Sequence, residues 1–202
     1  KHMGHCAELC AQKYAFTREK QDAFALESYL RAQKAMKSGL FRDEMVPVFV
    51  TQRRGEPLEV NCDEEPTKAP LEKMGSLRPA FDKNGTVTAA NSSKLNDGAA
   101  ALVLCSEHVA NQATQAPLAK ILSQASFGQA PEWFTTSPAG AVRKALDKAN
   151  LKVDDIGAWE INEAFSVVAM AAIQDLQLDP TLVNMRGGAV ALGHPIGCSG
   201  AR

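Results

Sequence analysis

The sequence predicts an α/β fold, because strand and helix patterns alternate along the second half of the chain. An apolar strand pattern over residues 118–127 is followed by a helical pattern over residues 139–149. A second short strand is predicted over residues 157–161, and it leads directly into a helix that ends near Leu176. Strand, helix, strand and helix in this order predict a sheet covered by helices.

The first part of the chain, residues 1–95, is predicted to be irregular and to contain one long helix. Thr17 can cap this helix through its hydroxyl, the following run is rich in Ala, Leu, Gln, Glu and Lys, and Gly39 ends it. A strand is expected over residues 45–50. The polar stretch 51–70, with Gly, Pro and five acidic residues, predicts a loop.

The elements of the second half follow from local signals. Residues 98–104 form a continuous apolar run, which is typical of a buried strand. Ser137 and Pro138 supply an N-cap and a proline at the first helical position. The helix after Glu163 is apolar around its whole circumference, so we expect it to be central.

Composition and charge exclude several classes of protein. Of the 202 residues, 45% are hydrophobic and 22% are charged, so neither disorder nor a fibrous repeat is indicated. The net charge of −1 argues against a broad nucleic-acid-binding surface. The longest apolar stretches are too short to span a bilayer, and no basic and then apolar leader opens the chain. We therefore expect a soluble protein without nucleic-acid or membrane partners.

The five cysteines show neither a CxxC pair nor zinc-ligand spacing; they are Cys6, Cys10, Cys62, Cys105 and Cys198. No metal site is expected, and a reducing compartment, either the cytoplasm or an organelle matrix, is the simplest interpretation. Cys198 lies in a glycine-rich run and could be a nucleophile. The alternative, that it is a small buried apolar residue, is favoured.

Two motifs point to a site. Residues 184–200 set His194 among five glycines, and Pro195 restricts the backbone of His194 to extended geometry. Asn162 and Glu163 directly follow a predicted strand; the amide can hold an oxygen, and the carboxylate can accept a proton. Taken singly, a lone His is more often structural and an Asn-Glu pair is more often a helix cap. Because ligands bind beyond strand ends in α/β sheets, a shared site is expected.

Both motifs resemble the thiolase family: residues 184–200 match its His-bearing signature, and Asn162-Glu163-Ala164-Phe165 matches its Asn-Glu-Ala-Phe loop. The resemblance covers essentially the whole chain, which corresponds to the middle half of a thiolase subunit, so we expect more protein on both sides. It implies a fold of stacked βαβ sheets with a loop domain, incomplete in this chain. The implied division is a substrate-covering loop region (1–95), the end of the first half (96–117) and most of the second half (118–202).

The resemblance also implies the chemistry. Thiolases condense two acetyl-CoA into acetoacetyl-CoA and CoA, and they catalyse the reverse thiolysis through a Cys acyl-enzyme. His194, Asn162 and Glu163 would be the catalytic residues, with His194 and an Asn162-held water forming an oxyanion hole. The nucleophilic Cys and the second, acid/base Cys of the family have no match in this chain.

A third stretch resembles the part of thiolases that holds the pantetheine arm of coenzyme A; it comprises Leu77-Arg78-Pro79-Ala80-Phe81, Gly85-Thr86-Val87-Thr88-Ala89 and Asn91-Ser92-Ser93. Coenzyme A would enter as substrate or product, and no permanently bound cofactor is expected. His2-Met3-Gly4 looks characteristic of short-chain members, and Phe134 departs from the arrangement common in bacterial members. The substrate-binding residues implied are His2, Met3, Lys68, Leu77, Phe81, Ala89, Ser93 and Phe134, of which Lys68 would meet a CoA phosphate.

Three alternatives stay open at this point. One is a 3-ketoacyl-CoA thiolase of broader chain length, and another is a catalytically silent CoA-binding or assembly protein. A condensing enzyme of the ketoacyl synthase type fits the motifs less well, since those enzymes use two catalytic histidines. By the same resemblance, a homodimer or homotetramer is expected.

Overall fold

The structure, a computed structural model, describes residues 2–202. Within that range its α-helices, in chain order, are α1 (Met3–Tyr14), α2 (Arg18–Lys37), α3 (Glu65–Lys68), α4 (Glu107–Ala110), α5 (Ser137–Ala149), α6 (Ser166–Leu176) and α7 (Ala189–Leu192). Short 3₁₀ turns cover Arg42–Glu44, Leu71–Ser76, Pro131–Thr136, Val153–Asp155 and Pro180–Leu182. None of the described helices is both long enough and apolar enough to cross a membrane.

The two N-terminal helices begin at side-chain caps. The Thr17 hydroxyl accepts the Lys20 backbone N–H at 3.3 Å, which confirms the predicted start of α2. The region predicted to be irregular also contains α1, whose start is capped by His2: its Nδ1 accepts the Gly4 N–H at 3.1 Å. A histidine cap of this kind was not predicted, because Ser, Thr, Asp and Asn are the usual capping residues.

Helix α6 is the centre of the molecule, as its all-round apolar sequence predicted. Its residues Val167, Val168, Ala169 and Ala171 are buried, and it contacts α1, α2 and α5. One side of α6 packs with α1 around Cys10, and the other packs with α5 and the buried Trp159. Burial on several sides explains why no polar face is needed.

A small hairpin carries the two strands. β1 (Val48–Val50) pairs antiparallel with β2 (Leu58–Val60), with Val48 opposite Val60. The strand expected over residues 45–50 is therefore present but shorter. The stretch 51–70 was predicted to be loop, yet it contains both β2 and α3. The pattern of residues 58–60 is too short to distinguish from a loop without its partner strand.

Residues 98–104 and 118–127 were predicted as strands, and the structure assigns no strand to either segment. Val103 is 98% exposed and Leu118 is fully exposed. A strand is stabilised by backbone hydrogen bonds to a paired strand, and among the described residues neither segment has such a bond; residues 118–127 are contacted only through side chains, such as Ser123 Oγ, which donates to the Ala145 carbonyl. The predicted strand 157–161 is reduced to a single parallel bridge from Trp159 to Val183.

An antiparallel bridge between Ser92 and Phe165 ties two distant segments together. The Ser93 N–H donates to the Ala164 carbonyl at 3.0 Å, and the Ser166 N–H donates to the Asn91 carbonyl at 2.9 Å. This pairing places the segment after Thr86 directly beside the Asn-Glu-Ala-Phe loop.

Candidate functional site

Asn162 and His194 come together, as their positions after strand-like segments predicted. Asn162 lies between the Trp159 bridge and α6, whereas His194 follows α7. The Asn162 Nδ2 atom and the His194 Nε2 atom are 3.4 Å apart. The exposed amide and the half-buried ring therefore present neighbouring polar atoms at one surface.

Backbone contacts fix the His194 loop. Its N–H donates to the Lys94 carbonyl at 2.9 Å. Gly193 has a φ of +88°, and a Cβ at this position would lie 2.1 Å from the Asn96 Oδ1 atom. Glycine is required there on both counts. Burial lowers the pKa of His194, so the ring is neutral near pH 7 and can accept a proton.

Glu163, predicted to be catalytic, is buried among groups of the protein interior, and only 1% of its surface is exposed. Its Oε2 atom accepts from the Ser28 hydroxyl at 2.7 Å and from the Val190 N–H at 3.2 Å, and its Oε1 atom accepts from Asn184 Nδ2 at 2.8 Å. It has no hydrogen bond to His194 or Asn162 among the described residues. Burial raises its pKa, while these donors act in the opposite direction.

Three of the predicted substrate-binding residues gather around Phe165. The His2 and Phe81 rings are stacked, with centroids 5.1 Å apart. Phe81 meets Phe165 edge-on at 5.9 Å, and Phe134 lies 6.5 Å from Phe165. The aromatic cluster His2, Phe81, Phe134 and Phe165 thus adjoins the loop that carries Asn162. Phe165 was not among the predicted binding residues, although its place in the Asn-Glu-Ala-Phe motif could have identified it.

The start of α1 borders this aromatic cluster. Met3 is 57% exposed. A Cβ at Gly4 would lie 2.2 Å from the Phe81 ring, so that ring rests directly on the helix backbone. The predicted triplet therefore joins the cluster through His2 and Gly4, with Met3 at the surface.

The segment predicted to hold the pantetheine arm is anchored by Glu8, a residue that was not predicted. The buried Glu8 carboxylate accepts the backbone N–H groups of Thr86 and Val87, both within 3.0 Å. Beyond this anchor, Ala89 is exposed and Ser93 is bonded to the Asn-Glu-Ala-Phe loop. A buried acid next to backbone donors has no signature in sequence spacing.

Leu77 and Lys68 lie apart from the aromatic cluster. The Leu77 carbonyl accepts from Arg18 Nη1 at 3.0 Å, and its side chain packs against the hydrophobic cluster of Tyr29 and Met74. Lys68 Nζ is 3.0 Å from Glu64 Oε1 in a pair that is about 60% exposed on each side. The part of the chain described by the structure contains no group of three or more His, Cys, Asp or Glu side chains suited to a metal ion.

Known proteins share this architecture. Residues 1–108 match the family described as "Thiolase, N-terminal domain", and residues 115–202 match "Thiolase, C-terminal domain". "Acetyl-CoA acetyltransferase A, mitochondrial" of Xenopus laevis is 52% identical over 202 residues, which are 100% of this chain and 48% of that protein. "Acetyl-CoA acetyltransferase" of Yarrowia lipolytica is 51% identical over 201 residues, or 100% of this chain and 50% of that protein.

Solved structures agree. The "Acat5 thiolase from Ascaris suum in complex with coenzyme A" superposes with a TM-score of 0.94 at 50% identity, covering 100% of this chain and 52% of that one. The Bacillus anthracis acetyl-CoA acetyltransferase superposes with a TM-score of 0.95 at 44% identity, covering 99% and 51%. This chain therefore has the thiolase fold and spans about half the length of the relatives it matches. On the agreement of both matched regions, the relatives and the folds, the chain belongs to the thiolase family.

Proposed function

We propose that the complete protein that contains this chain is an acetyl-CoA C-acetyltransferase, which condenses two acetyl-CoA into acetoacetyl-CoA and CoA and catalyses the reverse thiolysis. The observation that carries the proposal is the 3.4 Å contact between Asn162 Nδ2 and His194 Nε2, next to the aromatic cluster. The names of the relatives at about 50% identity support this substrate class.

The proposed reaction balances without a redox or metal step. A cysteine thiolate attacks the thioester carbonyl, the carbon–sulfur bond to CoA breaks, and an acyl-enzyme forms. A second cysteine then removes a proton from the α-carbon of acetyl-CoA. The resulting enolate carbon attacks the acyl-enzyme carbonyl, and the first thiolate leaves. Neither cysteine has a counterpart in these residues, so both belong to other parts of the complete protein.

His194 and Asn162 supply the groups that stabilise charge. In the neutral state, His194 Nε2 accepts the proton of the nucleophilic thiol. Once protonated, the same nitrogen donates a hydrogen bond to the oxygen on which negative charge develops. The Asn162 amide holds a water for that oxygen without changing its own charge.

Glu163 acts in this proposal by positioning other groups. Its carboxylate accepts hydrogen bonds from Ser28 in α2, from Asn184 in the loop before α7, and from Val190 in α7. Because Asn162 precedes Glu163 and His194 follows α7, this buried acid holds both catalytic loops in one frame. A rigid frame of this kind keeps reacting groups within the narrow geometry that catalysis needs.

Coenzyme A would lie along the segment after Thr86, leaving as product rather than staying bound. Ala89 and Ser93 offer a small side chain and a hydroxyl, and Phe81 offers an aromatic wall for the extended arm. Leu77 would extend the apolar side. Lys68 would meet a phosphate, for which it must exchange its Glu64 partner.

Membership of the thiolase family also supports proposals about the domains, assembly and location of the complete protein. We propose the division into a loop region (1–95), the end of the first half (96–117) and the second half (118–202). A homodimer or homotetramer in a reducing compartment, cytoplasm or organelle matrix, is proposed on the same ground; the Xenopus laevis relative is named as mitochondrial.

The test is cleavage of acetoacetyl-CoA in the presence of CoA, measured as the loss of the absorbance of the acetoacetyl-CoA enolate. The complete protein should form two acetyl-CoA, whereas the isolated chain of 202 residues should show no turnover above background. Turnover by the isolated chain would contradict the assignment of the two cysteines. Equal or better cleavage of longer ketoacyl-CoA would favour the broader thiolase, and CoA binding without cleavage would favour the silent protein. An intact mass near 21.6 kDa for the natural protein would also favour the silent alternative.

A further inference from the structure

Ser199 lies between the His194 ring and the backbone of the same loop. Its Oγ atom is 2.7 Å from His194 Nδ1 and 3.2 Å from the Pro195 carbonyl oxygen. The Ser199 N–H also donates to that carbonyl, at 3.0 Å, so the turn that carries the hydroxyl is held by the residue next to the ring. The hydroxyl is therefore fixed against the imidazole.

The partners of this hydroxyl decide where its single proton goes. A carbonyl oxygen can only accept, so the contact with Pro195 requires Ser199 to donate there. The hydroxyl then faces His194 Nδ1 with a lone pair. For the 2.7 Å contact to be a hydrogen bond, Nδ1 must carry a proton.

The opposite side of the ring leads independently to the same assignment. Asn162 presents its Nδ2 group to His194 Nε2, and an amide NH₂ can only donate. A protonated Nε2 in a neutral ring would set two donors against each other. Nε2 must therefore present a lone pair, which leaves the ring proton on Nδ1.

We propose that Ser199 is a positioning residue that holds His194 in the tautomer protonated at Nδ1, so that every proton exchanged with the reacting groups passes through Nε2. The bond to Ser199 is kept when Nε2 gains a proton, because Nδ1 remains a donor in the imidazolium. The ring can thus alternate between base and hydrogen-bond donor without turning, once the Asn162 amide has exchanged its bond to Nε2 for one to the water that it holds. The catalytic consequence rests on the proposed function, whereas the tautomer does not.

The tautomer can be measured without substrate. In the complete protein labelled with ¹⁵N-histidine, ring nitrogen shifts distinguish a protonated from an unprotonated nitrogen, and the His194→Gln variant identifies the His194 signals. At a pH where the ring is neutral, we expect a protonated Nδ1 and an unprotonated Nε2 in the wild type. A neutral wild-type ring protonated at Nε2 would overturn the proposal, whatever the variants do.

Substitutions test the role of the hydroxyl. Ser199→Ala should move a measurable share of the ring to the Nε2-protonated form and lower kcat for acetoacetyl-CoA cleavage about tenfold or more, with KM changed by less than about twofold. Ser199→Thr keeps a hydroxyl and should restore both. The matched control is Ser76→Ala, since the Ser76 hydroxyl also donates to a carbonyl in its own turn, that of Lys73 at 2.8 Å, and among the described residues it has no hydrogen bond to a histidine ring.

Two outcomes distinguish a failure of the role proposed for Ser199 from a failure of the function proposed for the site. An unchanged tautomer in Ser199→Ala would overturn the role of Ser199, even if the enzyme cleaves acetoacetyl-CoA as expected. A shifted tautomer in a protein that cleaves no acyl-CoA would support the role of Ser199 and overturn the function proposed for the site.

Discussion

Two apolar segments of this chain have opposite surroundings. The start of α6 carries Val167, which is fully buried among α1 and the aromatic residues before it, whereas Val103 in the run 98–104 is 98% exposed. The first segment is tied to the rest by the Glu163 carboxylate and by the Ser92 bridge. The comparison shows that an apolar sequence is buried only where neighbouring segments reach it, and that here a polar network brings them together.

The largest expected effect is at His194, which follows α7, the helix that Glu163 holds through the Val190 N–H. His194→Ala in the complete protein should lower kcat about 10²- to 10³-fold, or roughly 3–4 kcal/mol, because an oxyanion donor and a base are lost together. KM should change little, since the interaction is made mainly in the transition state. Steady-state kinetics with acetoacetyl-CoA and CoA check this, and a variant that loses only affinity would contradict it.

The frame itself can be broken at Glu163. Glu163→Gln should lower the free energy of unfolding by about 1–3 kcal/mol, because the new NH₂ group faces Asn184, Ser28 or Val190, all of which donate. The control is Glu27→Gln, which removes an exposed pair with Arg31 and should cost about 1 kcal/mol or less. Thermal unfolding followed by circular dichroism compares the two, and equal losses would show that the frame does not depend on the carboxylate.

Acidification should impair His194 without any substitution. Burial lowers the pKa of His194 below its ordinary value of 6.5. The protonated ring cannot accept the thiol proton, so kcat/KM should fall as the pH drops through this lowered pKa, about tenfold per pH unit. A pH–rate profile of acetoacetyl-CoA cleavage measures the acid limb. A midpoint above 6.5 assigned to His194 would contradict the effect of burial.

The aromatic cluster and the neighbouring Met3 should respond more weakly. Met3→Ala and Phe134→Ala should each raise the ratio of kcat/KM for a six-carbon over a four-carbon ketoacyl-CoA, by about tenfold and at most roughly 200-fold. Phe134 should have the larger effect, because it lies 6.5 Å from Phe165, whereas Met3 is 57% exposed. If both ratios stay at the wild-type value, the short-chain assignment loses its main support.

The exposed segment should show the smallest effect. In the isolated chain, Val103→Thr should change the free energy of unfolding by less than about 0.5 kcal/mol, since its side chain meets solvent. Val167→Thr, with the same change at a fully buried position, should cost about 1–3 kcal/mol. Chemical denaturation of both variants gives the two values. Equal losses would mean that residues 98–104 are buried in solution.

Local signals predicted the elements that do not depend on distant partners. The Thr17 cap located α2, and the apolar circumference of α6 located the centre of the fold. Strands were less predictable: the apolar run 98–104 has the pattern of a buried strand, but the sequence does not show whether a neighbouring strand is present to pair with it. The two motifs located Asn162 and His194, but Glu8 and Ser199 act through contacts that depend on the folded chain, and spacing in the sequence does not reveal them.

The Phe81 ring rests directly on the backbone at Gly4, so the start of α1 has no room for even one added methyl group. A larger residue at position 4 must displace the ring, and with it the stacked His2 that caps the helix. Gly4 has no side chain to shorten, so single substitutions can remove atoms only from the aromatic residues that face it. Selection or design can therefore widen the space beside the aromatic residues in single steps, while narrowing it requires residue 4 and the ring to change together.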